Sequence, residues 1–380
     1  MLAFDAQDSG MMNLLKVLVE TESPSTDKAA VDRVGAIVAD EACRLGADVE
    51  IVPVKEAGDH VIGRWGESPS PSGRGARSEG VILLLCHMDT VFPLGTLEKM
   101  PFHAADGKLF GPGVLDMKAG IVISLAAIAE LQKNGGLNRS VTLLCTSDEE
   151  TGSLTSRSLI ENLAKESALV LVLESALLDG SLKTWRKGVG EFWVKVKGRA
   201  AHAGGAHAEG RNAIEEMAHQ VLAIQKLTNY ERGTTLNVGV LHGGTVSNVV
   251  PEEAVAQVDV RVMQPGEWER IEAEMWALRP VLEGTSLEIT GGLNRPPMPF
   301  DERAKATFEK ARLIARNIGI ELKAGGTGGG SDANFVAPLG IPVLDGLGAV
   351  GEGLHSEREF IFTDSLQARA RLLAVLLKNW

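Results

Sequence analysis

Two imidazoles and three carboxylates stand where apolar runs end: His87 in CHMDT, Asp116 in GPGVLDMKAG, Glu150 in TSDEETG, Glu174 in LVLESA and His355 in GEGLHSERE. Nitrogen and oxygen donors in this mixture suit zinc-like ions, and a set of this size suits a pair of ions better than one. Runs such as VILLLC, VTLLCTS and ALVLVLE supply the strands, and ligands in open α/β sheets gather at the carboxyl ends of strands. The chain reads as a metallohydrolase.

Each position also has a plainer reading. Asp89 lies two residues past His87, so at a strand end both lean to one side and Asp89 can hold the non-ligating nitrogen of His87. Alone, H-x-D is an ordinary polar strand end. Asp116, set among Gly111, Gly113 and Gly120 just before a helix, suits a bridging carboxylate or an N-cap. A dinucleotide reading of these glycines fails, because the third glycine of G-x-G-x-x-G would fall on Asp116. Glu149 and Glu150 are adjacent after a strand, so their side chains diverge and one can ligate while the other faces a bound water. Two-ion amide hydrolysis requires that split: the ions acidify the water and polarise the carbonyl, and a carboxylate passes the proton to the leaving nitrogen. An exposed acidic loop is the alternative. Glu174 ends an apolar strand, where an unpaired carboxylate is costly and a metal removes the cost. His355, in a glycine-rich loop, is either a ligand or an exposed histidine.

No Lys follows the glycines of TGGGSDANF, residues 327–335, so this is not a nucleotide loop. Amides at Gly328, Gly329 and Gly330 ahead of a helix suit a carboxylate or the metal site, or else form a structural turn. Arg261 in AVAQVDVRVM shares a strand face with Gln257 and Asp259, opposite Val258, Val260 and Val262. Its fork suits a substrate carboxylate or an ion pair with Asp259. Nothing local makes His202 or His207 catalytic, and WRKGVG either supplies Arg186 or Lys187 near the domain junction or, more plainly, carries solvated charge.

These residues need a scaffold, and at 380 residues the chain favours two domains. Helical spacing runs from Met11 to Leu45, broken by the turn cluster ESPSTD, with strands at Val49–Val54 and Gly63–Trp65 and a solvated hairpin loop, GESPSPSGRGARSEG. Strands then alternate with helices, including Lys118–Lys133 stopped by Asn134, Gly135 and Gly136, which means a mostly parallel sheet flanked by helices. Between Arg186 and Gly292 the order becomes β-α-β-β-α-β, with helices at Asn212–Leu227 and Trp268–Leu282. That is the signature of an inserted ferredoxin-like α+β domain. Residues 1–185 and 293–380, with the helix Ala304–Asn317 and a last helix near Ser365–Leu377, then form one split catalytic domain, since His355 must join the other four candidates.

A net charge of −12 without a long Lys/Arg cluster argues against nucleic acid or an anionic membrane as partner. The longest apolar stretch, 120–131, is short of the ~20 residues that span a bilayer. Cys43, Cys86 and Cys145 form no metal-type pair, and the N-terminus has no basic start ahead of an apolar core, so a cytoplasmic location is expected.

Together these segments resemble the di-zinc family of aminoacylase, carboxypeptidase G, acetylornithine deacetylase and succinyl-diaminopimelate desuccinylase, from about Leu14 onward and most of all the glutamate carboxypeptidase type. The resemblance rests on H-x-D, G-x-x-D-x-K-x-G, EE, a carboxylate, G-x-x-x-H-x-G, S-N-x-x-P, D-x-R, GG-S-D and a late His in that order. It implies two Zn²⁺ per subunit, with Co²⁺ or Mn²⁺ as substitutes, held by His87, Asp116, Glu150, Glu174 and His355, with Asp116 bridging. It also implies Glu149 as general base, Asp89 supporting His87, and a cis peptide after Asp116. His202 would reach across a homodimer formed through the inserted domain to stabilise the oxyanion. Asn248 and Arg261 would bind near the scissile carbonyl and the free carboxylate, and Gly329 and Gly330 would line the substrate site. The implied reaction is hydrolysis of a peptide or N-acyl amino acid, releasing an amino acid with a free carboxylate. The alternative is a non-catalytic amino-acid or peptide binding protein with a structural metal. Two departures bear on the substrate: Gly326 stands where carboxypeptidases of the G type have arginine, and Glu174 where they have aspartate.

Overall fold

The structure, a computed structural model, describes residues 8–66 and 80–380. The expected hairpin loop therefore lies outside the described residues, Gly66 and Gly80 excepted. Two compact units emerge: Met1–Trp185 with Phe300–Thr327 and Ser331–Trp380, and Arg186–Pro299 with Gly328–Gly330.

The larger unit is built on a six-stranded sheet in the order Asp48–Val52, His60–Trp65, Val141–Thr146, Ile82–His87, Leu169–Val172, Val343–Leu344. The last four run parallel, while His60–Trp65 opposes both of its neighbours. Every residue of ILLLCH and VTLLCT is buried, which is why these strands read as continuous apolar runs: helices cover both faces and no side chain needs to meet water. Ala119–Lys133 is apolar nearly all round and packs against Thr363–Asn379, as a central helix must. Its start lies so close to the sheet that a Cβ on Gly120 would come within 2.3 Å of the Leu173 carbonyl oxygen. Asp27, which accepts from Ala30 N, caps Lys28–Arg44, and Asp301, which accepts from Ala304 N, caps Glu302–Arg316.

One sheet of this unit had no sequence signature. Strands Gly351–Glu352, Phe360–Phe362, Lys108–Phe110 and His103–Ala105 pair antiparallel in that order. Two or three residues are too few to leave an alternating pattern.

The smaller unit is a four-stranded antiparallel sheet, ordered Thr235–Gly243, Glu253–Val262, Gly188–Lys197, Ser286–Arg295. Helices Ala213–Gln225 and Glu267–Ala277 complete the ferredoxin-like β-α-β-β-α-β order. Phe192, Val194, Val196, Val258, Val260 and Val262 fill its core with Met217, Trp268 and Ile271. The second helix stops at Ala277 rather than Leu282, with Leu278 extended at ψ 138°. Pro280 ends it, because a proline disfavours helical backbone before it and cannot continue the ladder. The unit also runs on past Gly292: its last strand continues to Arg295, and Met298 exchanges backbone hydrogen bonds with Arg186.

Candidate metal centre

His87 is the last residue of its strand, and its ring is 2% exposed. Its Nδ1 lies 3.0 Å from the Asp89 carbonyl oxygen and 3.5 Å from the Asp89 carboxylate. A carbonyl only accepts, so Nδ1 carries a proton and Nε2 is the nitrogen turned into the site. There Nε2 is 3.2 Å from Asp116 Oδ1 and 3.6 Å from Glu174 Oε1. Glu174 follows Leu169–Val172 and is buried. The other Asp116 oxygen, Oδ2, is 3.1 Å from His355 Nε2, which is also 3.2 Å from Glu150 Oε2. The sequence candidates thus converge, and Asp116 presents one oxygen to each imidazole.

The loops that deliver them are held by two buried carboxylates. Asp89 accepts from Glu149 N through Oδ1 and from Glu150 N through Oδ2, both at 3.2 Å, and from Ser25 Oγ at 2.7 Å. It therefore fixes the 3₁₀ turn Glu149–Thr151 as well as His87, a second duty that no H-x-D spacing announces. Glu359 accepts from Gly113 N at 3.0 Å, Leu115 N at 2.7 Å and Asp116 N at 3.0 Å. Gly113 has to be left-handed, φ 71°, where a Cβ would meet Thr90. The Asp116–Met117 peptide is cis. Lys118 is buried too, its ammonium donating to the Thr21 carbonyl at 2.9 Å.

Electrostatically the cluster seeks positive charge. Burial opposes a proton on His87, but hydrogen bonds to Asp116 and Asp89 hold its pKa well above the ordinary 6.5. Hydrogen bonds to Asp116 and Glu150 raise His355 to about 10. Burial would lift Asp116, yet His355 and His87 keep it well below the usual carboxylate range. Glu150 is raised by burial, and its Oε1 is buried without a hydrogen-bond partner. Atoms of His87, Asp116 and Glu150 lie within 4.8 Å of one another. The 3.1–3.2 Å separations match the ~3.3 Å edges of a tetrahedron with ~2.0 Å metal–nitrogen bonds. The donor set, the spacing and the orphaned Glu150 oxygen all fit divalent metal.

In the smaller unit, His202 and Val249 pair in a two-stranded ribbon, and Ala203 N donates to the Asn248 carbonyl at 2.9 Å. His202 is exposed, and its Nδ1 accepts from Gly204 N at 3.1 Å and Gly205 N at 3.0 Å. Its proton is thereby placed on Nε2. Arg261 forms a two-nitrogen ion pair with Asp259 at 2.8–3.1 Å. The carbonyls of Gly329 and Gly330 accept from Arg186 Nη1 at 3.2 and 3.0 Å. Arg186 is 3% exposed, so it anchors this loop and is not solvated charge. The motif hid this because its partners are carbonyls some 140 residues away.

The model for Peptidase family M20/M25/M40 matches residues 83–379. Carboxypeptidase G2 of a Pseudomonas species is 29% identical over 386 residues, covering 98% of this chain and 90% of the relative. A succinyl-diaminopimelate desuccinylase of Xylella fastidiosa is 30% identical, covering 79% and 83%. Among solved structures, aminopeptidase PepT from Bacillus cereus superposes with a TM-score of 0.80 at 24% identity over 98% of both chains. An M20 family metallo-carboxypeptidase from Sulfolobus solfataricus gives 0.76 at 16% identity, over 97% of this chain and 98% of that one.

Proposed function

The chain belongs to peptidase family M20/M25/M40 and is a metal-dependent hydrolase of the metallopeptidase and amidohydrolase kind; from that premise we propose that it binds two zinc ions and cleaves the amide of a peptide or N-acyl amino acid. The observation that carries this reading is Asp116, whose two oxygens face the Nε2 atoms of His87 and His355. His87, Asp116 and Glu174 would hold one ion, and Asp116, Glu150 and His355 the other. When bound, such ions polarise the scissile carbonyl and acidify water.

Glu149 is the general base. Its neighbour Glu150 turns into the cluster towards His355, Asp89 pins the amides of both, and the Glu149 carboxylate takes a proton and returns it to the leaving nitrogen. His202, with Nε2–H outward, supplies a hydrogen bond to the developing oxyanion, Asn248 contacts the carbonyl, and Arg261 exchanges Asp259 for the substrate carboxylate. Gly329 and Gly330 shape the loop beside it. The active form is a homodimer through the smaller unit. Its edge strand Thr235–Gly243 leaves Val240 and Leu241 exposed, and Ile214 and Leu222 of helix Ala213–Gln225 are exposed as well, apolar groups of the kind that a second chain covers.

The released amino acid is held differently from the way the resemblance implies for glutamate. A Cβ on Gly326 would stand 2.1 Å from the Trp185 indole, so this chain fills with an aromatic ring the position where carboxypeptidases of the G type have arginine. Release of amino acids from a panel of N-acyl amino acids and dipeptides, with a chelated control, tests the proposal. Chelator-sensitive release is expected, and its absence from zinc-loaded enzyme across the panel would refute it.

A further inference from the structure

We propose that Glu359 is a positioning residue for the metal centre, its carboxylate setting the place of Asp116 relative to His355. The inference rests on the reading of both as metal ligands. Glu359 is 0% exposed and gathers the amides of Gly113, Leu115 and Asp116, residues more than 240 positions away. Its own segment is tight: Glu359 N donates to Ser356 O at 3.1 Å and Ser356 N to Gly353 O at 3.0 Å. His355 sits inside that turn, with φ 58°. A closed circuit results. It runs from the Asp116 carboxylate to His355 Nε2, along residues 355–359, and through the Glu359 carboxylate back to Asp116 N.

The chemistry of the join is selective. Three N–H donors converge on one side chain, Leu115 N and Asp116 N on Oε1 and Gly113 N on Oε2, and a carboxyl group offers an acceptor oxygen at both places. In Glu359→Gln an amide NH₂ must face a backbone N–H, either that of Gly113 or those of Leu115 and Asp116. The side chain keeps its volume while the circuit opens. The small sheet cannot do this work by itself, since Phe110 and Phe360 are paired in it but the loops beyond both strands leave it before reaching Asp116 and His355.

A purely structural pin would cost stability without changing how the folded protein holds metal. Glu216 provides the comparison: it too is buried and accepts from Val281 N, Leu282 N and Thr285 Oγ1, within the smaller unit. Zinc would be titrated calorimetrically into chelator-stripped wild type, Glu359→Gln, Glu359→Ala and Glu216→Gln, each checked for folding by circular dichroism. Glu359 variants should bind zinc about 10–100-fold more weakly, and Glu216→Gln should bind as wild type does even if it melts earlier. Unchanged zinc affinity in folded Glu359 variants, or an equal loss in Glu216→Gln, would overturn the proposal. Failure of the wild type to bind zinc would instead overturn the reading of the site. Should the Glu359 variants not fold, hydrogen exchange in wild type with and without zinc decides: slower exchange at Gly113, Leu115 and Asp116 on zinc binding supports the coupling of this join to the metal centre, and unchanged exchange refutes it.

Discussion

The candidate residues of the two units are held in opposite ways. In the larger unit the side chains of His87, Asp116, Glu150 and Glu174 are 2–12% exposed, His355 being the exception at 52%, and buried carboxylates fasten the backbone beneath them. In the smaller unit His202 and Asn248 are exposed, and Arg261, 31% exposed, rests on Asp259. Burying several acids together is unfavourable unless cations join them, so under the proposed reading the first group is built in advance for metal. The second group stays solvated and gives up little to meet a substrate. Metal content and turnover should therefore follow the larger unit, and substrate affinity the smaller.

The largest effect that could break this contrast is at Asp116. Asp116→Ala removes the proposed bridging ligand, and elemental analysis should find metal lost while kcat/KM falls by roughly 10⁴-fold or more; retained metal would mean Asp116 does not bridge. Next is Glu149→Gln, expected to keep its metal and lose about 10²–10⁴-fold in kcat. Collapse of metal content there would exchange the roles of Glu149 and Glu150. Arg261→Ala should raise KM by about 10–100-fold with metal unchanged, the worth of a hydrogen bond to a charged group. A fall in kcat alone would place Arg261 outside carboxylate binding. Mixing His202→Ala with Glu149→Gln chains should restore part of the activity in exchanged dimers, whereas no recovery would keep His202 within its own subunit.

The smallest effect concerns stability. Glu267, gripped by Arg270 and Arg232 in the smaller unit, has a pKa lowered from 4.5 to about 2. Because the folded value is the lower one, its contribution is complete above pH ~4.5 and fades as the pH falls through about 2. Thermal melts should show Glu267→Gln below wild type at pH 7, with the gap closing towards pH 2. A gap that does not change with pH would point to packing instead of charge.

Much of the site could be read from the chain because covered parallel strands leave unmistakable apolar runs, and a polar residue at the end of one stands out. His87, Glu150 and Glu174 were legible in this way, as was the period-2 alternation of the smaller sheet. Glu359 was not: in HSERE it is one acid among charged neighbours, and its importance comes from amides brought to it by the fold. Arg186 was hidden likewise, because backbone carbonyls carry no sequence signal. The short sheet joining residues 103–110 to 351–362 lacked the length to show a period.

Gly120 has a consequence for reading other chains. Its bare Cα lets Ala119–Lys133 settle on the carbonyl of Leu173, and Gly348 crowds the same oxygen, where a Cβ would be 2.2 Å away. Leu173 precedes Glu174, and the helix follows Asp116, so these two hydrogens act as a gauge for the gap between two proposed ligands. A methyl group at either glycine would shift one candidate ligand relative to the other with every candidate metal-binding side chain still in the sequence. A roll call of ligands would then pass a broken enzyme as sound, whereas checking these two backbone contacts would detect the fault.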